Sequence, residues 1–311
     1  MSYSNTHTYQ NKPIESEFDV RLDYYREPIQ SSDELDKPHG LDFFARSRDA
    51  IADPINELID RLPLSGGVDA DGHVYLHNGL RVPLVGAGAY YGEFSHLLVV
   101  NKGVHEPLEE FIFQEVVNSL IGAPTMLELG AYWSHYSMWL TSKLPMSRAI
   151  MVEPEPENLK AGEANFSLNE LSGHFLEGFV GRGQFEVDKF MADSGTSHLD
   201  ILHSDIQGFE IEMLEGADTA FREDRIDRIF ISTHSDELHS ACIEKLESFG
   251  FQIIAESDFQ DTTSWDGLIF AVRSPEFSPL KPFRPCTRSE ANRMNFDDRR
   301  SYVDCVRMAR G

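Results

Sequence analysis

The sequence predicts an α/β fold in which helices cover both faces of a doubly wound, mainly parallel sheet. Two observations lead to this class. After Pro124, short apolar runs alternate with amphipathic segments of helical period, which is typical of parallel sheets. The last two runs have only a loop between them, so we expect a closing antiparallel pair. The predicted strands are Thr125–Leu129, Ala149–Glu153, His174–Val180, Leu199–Asp205, Arg228–Thr233, Phe251–Ala255 and Gly267–Val272.

Helices are predicted between and before these strands. An amphipathic pattern covers residues 41–62 and is interrupted by Pro54, which breaks or kinks a helix. A second amphipathic pattern begins near Glu106, and Gly122 is placed to end it. Between them, Asn78-Gly79 joins two short alternating runs and predicts a hairpin. Within the sheet region the predicted helices are Glu157–Leu171, Phe209–Phe221 and Ser235–Phe249, with another opening in YWSHYSMWL.

Three regions follow from this pattern. Residues 1–105 are interpreted as an N-terminal arm, lid and hairpin, residues 106–275 as the α/β domain, and residues 276–311 as a basic tail that packs on the body. Residues 281–311 carry eight basic and four acidic side chains, which favours docking on an otherwise acidic chain. Aromatic residues of the first region are expected to form a lid or an oligomer contact, the alternative being a plain hairpin; they are Tyr24, Tyr25, Phe43, Phe44, Tyr90, Tyr91 and Phe94.

Composition limits the partners. The 311 residues include 52 acidic and 27 basic side chains, for a formal charge of −25. Nucleic-acid and anionic-membrane surfaces need clustered Lys and Arg, so neither partner is expected. Three scattered cysteines predict no disulfide framework. We see no apolar leader and no stretch long enough to span a membrane, so a cytoplasmic location is expected.

The first two predicted strands end in residues that suit a nucleoside cofactor. Gly130 follows the first strand directly and precedes a predicted helix, an arrangement that presents backbone N–H groups to a ligand. Glu153 ends the second strand, 23 positions later, close to the roughly 20-residue spacing at which a carboxylate grips ribose hydroxyls. Together the two residues favour a nucleoside cofactor, the alternative being a glycine turn and a surface glutamate.

The fourth and fifth strands deliver ionisable side chains to the same edge of the sheet. Asp205 ends the fourth strand, Gly208 permits a tight turn, and Glu210 lies in the first turn of the next helix. His234 follows the fifth strand. Ligands of open α/β sheets bind at the carboxyl ends of the strands, so these residues are candidates for chemistry.

In these motifs the chain resembles the FkbM family of S-adenosylmethionine-dependent methyltransferases, from about Glu106 to Arg273. That family has an acidic residue and Gly-Ala after the first strand, Glu-Pro after the second, an Asp-rich block with Gly-x-Glu at the fourth, and His after the fifth. The matching residues are Glu128, Gly130, Ala131, Tyr136, Ser137, Glu153, Pro154, Asp200, Asp205, Gly208, Glu210, Leu214, Gly216, Ala217 and His234.

The resemblance implies a Rossmann-like seven-stranded methyltransferase sheet and S-adenosylmethionine as cofactor. Glu153 would accept hydrogen bonds from the ribose, Ser137 would donate to the cofactor carboxylate, and Asp205 would face the sulfonium. The implied cofactor-binding residues are Glu128, Gly130, Ala131, Tyr132, Ser137, Glu153, Pro154, Phe179, Asp205 and Gln207.

The implied reaction is O-methyl transfer to a hydroxyl of a small-molecule or sugar-containing acceptor. His234 and His203 are the candidate general bases, because imidazole accepts protons near neutral pH, and Asp205 or Glu210 would orient one of them. A divalent metal held by Asp205, Glu210 or His234 is a second way to activate the hydroxyl.

A non-catalytic binding or scaffold protein is the alternative function. It is motivated by Tyr132, Ser134 and His135, which stand where the family has Asn, Gly and usually an aromatic residue. An open cavity between Gly130 and Asp205 would favour the enzyme. His135 and the histidines outside the motifs, including His77 and His105, are expected to have structural or surface roles.

Overall fold

The computed structural model describes residues 43–90 and 95–311. The described part opens with helix α1, Phe43–Ala52, and a 3-10 helix, Pro54–Leu58, so the predicted pattern does break at Pro54. The Asp53 carboxylate accepts a hydrogen bond from the Ile55 N–H and caps the second helix. Of the predicted lid, residues 1–42 and 91–94 lie outside the described residues.

The predicted hairpin is present. Strands β1, His73–Tyr75, and β2, Arg81–Pro83, pair antiparallel around the Asn78-Gly79 turn, in which Gly79 has a φ of +90°. Two helices follow, α2 at His96–Val100 and α3 at Pro107–Ser119. Helix α3 ends before Gly122, because Leu120 already has an extended backbone.

The predicted doubly wound sheet is confirmed, and it has the strand order β5-β4-β3-β6-β7-β9-β8. All neighbours pair parallel except β9, which runs antiparallel to both β7 and β8. The strands are β3 Thr125–Leu129, β4 Arg148–Glu153, β5 His174–Glu177, β6 Ile201–Ser204, β7 Arg228–Thr233, β8 Gln252–Ser257 and β9 Gly267–Val272. This is the order expected of a Rossmann-like methyltransferase.

Helices connect the strands. The helix predicted at Phe209–Phe221 is two helices instead, because the chain leaves helical geometry around Gly216 and Ala217. The helices are α4 His135–Lys143, α5 Pro156–Leu168, α6 Val187–Ser194, α7 Glu210–Glu215, α8 Asp218–Arg222, α9 Asp236–Ser248, α10 Arg288–Arg293 and α11 Phe296–Ala309.

The core lies on both faces of the central strands. Every residue of β7 and β9 is buried, as is typical of strands that are covered on two sides. Leu127 and Ile229 pack on one face, and Met126 and Phe230 pack on the other. The central strand ends are therefore held rigidly, which suits a site built at this edge.

The basic C-terminal region contacts the N-terminal elements. Arg310 lies 2.9 Å from the Glu115 carboxylate of α3, Arg299 lies 3.3 Å from Glu57, and Arg288 of α10 lies 3.8 Å from Asp49 of α1. Among the described residues, we find no helix with the length and apolar character needed to cross a bilayer.

Candidate functional site

The turn after β3 brings two strand ends into close contact. Gly130 has a φ of +73°, and a Cβ built there would lie 1.7 Å from the carbonyl oxygen of Asp205. Only glycine fits at this position. The Gly130 and Ala131 N–H groups both donate to the Val152 carbonyl, at 2.9 and 3.1 Å, so the turn is also fastened to β4. Three strand ends are thus held together at the predicted site.

The residues after Gly130 keep a tight turn without further glycine. Tyr132 and Ser134 have φ values of +40° and +63°, in the left-handed region that is uncommon for side chains other than glycine. Helix α4 begins at His135 immediately after this turn. Gly162 of α5 packs closely against this turn. A Cβ built on Gly162 would lie 2.4 Å from Ser134 Oγ, so there is no room for a side chain at this position.

Two predicted cofactor residues serve the turn itself. The Glu128 carboxylate accepts a hydrogen bond from the Ser137 N–H at 3.2 Å, and burial raises the pKa of Glu128 to about 6. Ser137 is fully buried. Glu128 also borders the cavity described below. Ser137 does not line this cavity, but its N–H holds the Glu128 carboxylate.

Glu153 ends β4 as predicted, but its carboxylate faces the turn. Its Oε2 accepts from the Tyr132 N–H at 3.0 Å, and its Oε1 accepts from the Glu155 N–H at 3.1 Å and from the Asn158 amide at 3.2 Å. The structure does not place Glu153, Pro154 or Phe179 among the residues that line the cavity.

Asp205, His234 and Glu210 lie together at the ends of β6 and β7. His234 Nδ1 is 2.6 Å from Glu210 Oε1, and His234 Nε2 is 3.3 Å from Asp205 Oδ1 and 3.6 Å from Asp266 Oδ1. Burial disfavours a charged imidazole, but these carboxylates outweigh it and raise the pKa of His234 to about 11. At neutral pH, His234 is therefore an imidazolium held between carboxylates.

His203 lies apart from this group and also lines the cavity described below. Its Nε2 is 2.6 Å from Glu109 Oε1 of α3, and its ring packs against Tyr136 with centroids 4.4 Å apart. Burial lowers the pKa of His203, but the Glu109 carboxylate outweighs that effect and leaves it above the ordinary value. His203 and His234 thus belong to separate pairs.

An open cavity of about 290 Å³ is lined by both Gly130 and Asp205. This observation favours the enzyme over the scaffold alternative. The cavity contains seven residues of the predicted site: Glu128, Gly130, Ala131, Tyr132, His203, Asp205 and Gln207. The sequence placed Tyr136 in the family motif and Tyr90 in the expected lid, but it did not assign the remaining lining residues to the site, namely Arg46, His105, Glu106, Trp133, His135, Trp265 and Asp266.

Two carboxylates in this second group change the electrostatics. Burial, together with repulsion from Glu109 and Asp266, raises the pKa of Glu106 well above its ordinary value. Burial also raises the pKa of Asp266 to about 7, although His234 opposes that shift. Asp266 had a sequence signal: it precedes an antiparallel strand, and the start of such a strand lies at the carboxyl edge of its parallel neighbours.

The same edge contains a group of side chains that could bind a cation. Asp205, His234 and Asp266 each offer one ligand atom, and these atoms lie within 4.8 Å of one another. Carboxylate oxygens with one imidazole suit a divalent ion, although a proton on His234 Nε2 competes for the same position.

Comparisons with known proteins agree with the family resemblance. Residues 183–253 match the family model described as the methyltransferase FkbM domain, which confirms the resemblance over that stretch. It includes Asp205, Glu210 and His234. The sequence has no match among curated proteins.

Several solved methyltransferase structures share part of the fold. A precorrin-6y C5,15-methyltransferase from Geobacter metallireducens is 15% identical, covers 53% of this chain and 88% of its own, and has a TM-score of 0.39. A ribosomal protein L11 methylase from Lactobacillus delbrueckii subsp. bulgaricus is 11% identical, covers 53% and 78%, and has a TM-score of 0.40. TrmK from M. capricolum, solved with S-adenosylhomocysteine, is 15% identical, covers 53% and 68%, and has a TM-score of 0.38.

Proposed function

We propose that this protein is an S-adenosylmethionine-dependent O-methyltransferase that acts on a hydroxyl of a small-molecule or sugar-containing acceptor. The observation that carries the proposal is the position of Asp205, which borders the cavity beside Gly130 and contacts the His234–Glu210 pair. The FkbM family match over residues 183–253 supports the same reaction class.

The cofactor would lie across the ends of β3 and β4. The Gly130 turn lets the backbone approach a ligand closely, and α4 begins just beyond it with its amino end towards the turn. Glu153 Oε2 accepts one hydrogen bond, from Tyr132, so a carboxylate oxygen still has capacity for a ribose hydroxyl. A cationic sulfonium is favoured beside Asp205 because opposite charges attract strongly in a partly buried site.

Methyl transfer would proceed by in-line displacement. The acceptor oxygen forms a bond to the methyl carbon while the carbon–sulfur bond breaks. The electron pair of the broken bond stays on sulfur, which becomes the neutral thioether of S-adenosylhomocysteine. The hydroxyl proton passes to Asp205, because His234 already holds a proton and cannot accept another. His234 and Glu210 keep Asp205 oriented and partly balance its charge. No step of this reaction requires a metal ion.

The cavity lining favours neutral or cationic acceptors. Glu106 and Asp266 offer carboxyl groups, and Tyr90, Trp133 and Trp265 offer aromatic surface of the kind that packs against sugar rings or cations. Arg46 also borders the cavity, but it donates to the Trp265 carbonyl and lies over the Trp265 ring, 5.2 Å from its centroid. An anionic acceptor would meet mostly repulsion.

Calorimetry with S-adenosylhomocysteine tests the cofactor assignment. We expect one site per chain and binding that weakens when Gly130 is replaced by alanine. A methyl-labelled cofactor incubated with hydroxyl-bearing sugars and their amine analogues then tests the acceptor atom. Absence of binding by the folded protein would refute the proposed function. Label on the amines alone would refute O-methyl transfer and leave the cofactor assignment intact.

A further inference from the structure

A second group of ionisable side chains is buried away from the catalytic edge. It joins three segments: His77 follows β1, Glu110 lies in α3, and His135 is the first residue of α4. Their side chains are 1%, 0% and 1% exposed, respectively. Three such groups rarely lie together in a protein interior unless their polar atoms are paired or bind a metal.

One oxygen of Glu110 is fully used and the other is not. Oε1 accepts hydrogen bonds from the backbone N–H groups of His105, at 2.7 Å, and Glu106, at 2.9 Å. Oε2 accepts no hydrogen bond. Oε2 faces the Nε2 atoms of His77 and His135, at 2.9 and 3.8 Å, so a positive group between these three atoms would balance the buried carboxylate.

His77 presents a ring nitrogen to this oxygen without bonding to it. Its Nδ1 lies 3.2 Å from the Asp60 carbonyl oxygen, which can only accept, so Nδ1 carries the proton. Its Nε2 lies 2.9 Å from Glu110 Oε2, yet the two atoms lack the geometry of a hydrogen bond. In a neutral imidazole with a protonated Nδ1, Nε2 has a lone pair and is a ligand atom.

His135 completes the group. Its Nε2 lies 3.8 Å from Glu110 Oε2, and neither of its ring nitrogens has a hydrogen-bond partner. Trp133 stacks on the ring with centroids 5.1 Å apart and planes inclined by 12°. The imidazole is therefore held in place by packing alone while its nitrogens go unused.

We propose that His77, Glu110 and His135 form a binding site for a divalent transition-metal ion of the Zn²⁺ class. Their three ligand atoms lie within 4.8 Å of one another, so small movements suffice to surround an ion. Imidazole nitrogens with one carboxylate oxygen are a common Zn²⁺ ligand set. His105 Nδ1, 2.7 Å from Glu110 Oε1, would orient the ligating carboxylate from outside the ligand set.

The site lies between two cavities. His135 borders the cavity of about 290 Å³, and His77 borders a separate cavity of about 310 Å³. A bound ion would tie the hairpin and α3 to the start of α4, immediately after the Gly130 turn. Its expected role is therefore structural, and the inference does not depend on the proposed methyl transfer.

Metal content measured by mass spectrometry tests the site. The full chain is incubated with Zn²⁺ and dialysed, and we expect about one ion per chain to remain. His135→Phe preserves an aromatic ring for the stacking on Trp133, and Glu110→Gln keeps an acceptor for the two backbone N–H groups; each should lower retained Zn²⁺ at least about fivefold. His239→Gln is the matched control, because His239 is also buried beside a carboxylate, and it should retain the ion.

Asp266→Asn separates this site from the cation-binding group at the catalytic edge, and it should retain Zn²⁺. Circular dichroism checks that each variant folds. Should the variants unfold, the wild-type protein still decides: Co²⁺ should give visible absorption bands of an imidazole-ligated ion, and Zn²⁺ should raise its Tm. The proposal is overturned if the wild-type protein retains no Zn²⁺, or if folded His135→Phe retains Zn²⁺ in full. It is also overturned if Asp266→Asn, rather than His135→Phe, loses the Zn²⁺.

Discussion

The two walls of the central cavity are built in different ways. One wall consists of strand ends: Gly130 and Asp205 reach it directly from β3 and β6, and His234 at the end of β7 contacts Asp205 without lining the cavity. The other wall comes from the N-terminal elements and the loop before β9, and it includes Tyr90 and Glu106. Sheet topology therefore fixes the reacting groups, whereas long-range packing shapes the space that an acceptor would fill.

The walls also differ in charge. Beside the strand wall, the carboxylates around His234 raise its pKa to about 11, so a positively charged imidazolium contacts Asp205 there. At the opposite wall, burial and neighbouring carboxylates raise the pKa of Glu106, which favours its neutral form. Substitutions that remove charge should therefore be severe at the first wall and mild at the second.

The largest effect is expected at Asp205. Asp205→Asn removes the proton acceptor and should lower kcat about 100- to 10,000-fold, while affinity for S-adenosylhomocysteine changes only a few-fold. Steady-state kinetics and calorimetry on the same preparation measure both. Asp200→Asn, at the other end of the same strand segment, is the matched control and should leave turnover unchanged. Full turnover by Asp205→Asn would remove the proposed role.

Gly130→Ala should disrupt the contact between the strand ends. The new Cβ would collide with the Asp205 carbonyl at a positive φ, so we expect the free energy of unfolding to fall by more than about 3 kcal/mol. Gly183→Ala is the control, since Gly183 has a similar φ of +71° but nothing within 4 Å of its Cβ. That variant should lose only about 1–2 kcal/mol. Equal losses in urea unfolding would show that backbone strain, not the collision, dominates.

Asp266 predicts a pH dependence of stability. Its pKa is about 7 in the folded protein against an ordinary 3.8, because burial and Asp205 outweigh His234. The folded state therefore binds this proton more tightly than the unfolded chain does. The resulting stabilisation of the folded state is full below about pH 4 and is lost as the pH rises towards about 7. Asp266→Asn cannot titrate. The free energy of unfolding of Asp266→Asn minus that of the wild type should therefore rise by on the order of 2 kcal/mol between about pH 5 and pH 8. A difference that does not change with pH would contradict the raised pKa of Asp266.

The smallest effect is expected at the second wall. Glu106→Gln replaces a carboxyl group, whose neutral form is favoured because burial raises its pKa, with a neutral amide of similar shape. Turnover near neutral pH should change less than about threefold, which corresponds to under 1 kcal/mol in the barrier. A hundredfold loss, measured alongside Asp205→Asn, would show that Glu106 carries charge during the reaction and would erase the contrast between the walls.

The sequence could predict the strand wall because its residues follow strands directly. Gly130, Asp205 and His234 each adjoin a buried strand, and parallel strands bring their carboxyl ends to one edge. Apart from Asp266, the opposite wall had no comparable signal from strand position, since Arg46 and Tyr90 reach the cavity through contacts with residues far away in the chain. The sequence predicts a structural or surface role for His135. It does not show that His135 approaches Glu110 and His77, because this approach depends on how α3 and the hairpin pack.

The central claim is that the cavity between Gly130 and Asp205 binds S-adenosylmethionine with its sulfur towards Asp205. A crystal structure of the protein with S-adenosylhomocysteine tests this most directly. We predict the ribose beside Glu153 and the sulfur in the cavity, facing Asp205 with open space beyond it for an acceptor hydroxyl. A nucleoside bound away from the ends of β3 and β4, or a sulfur turned away from Asp205, would contradict the account.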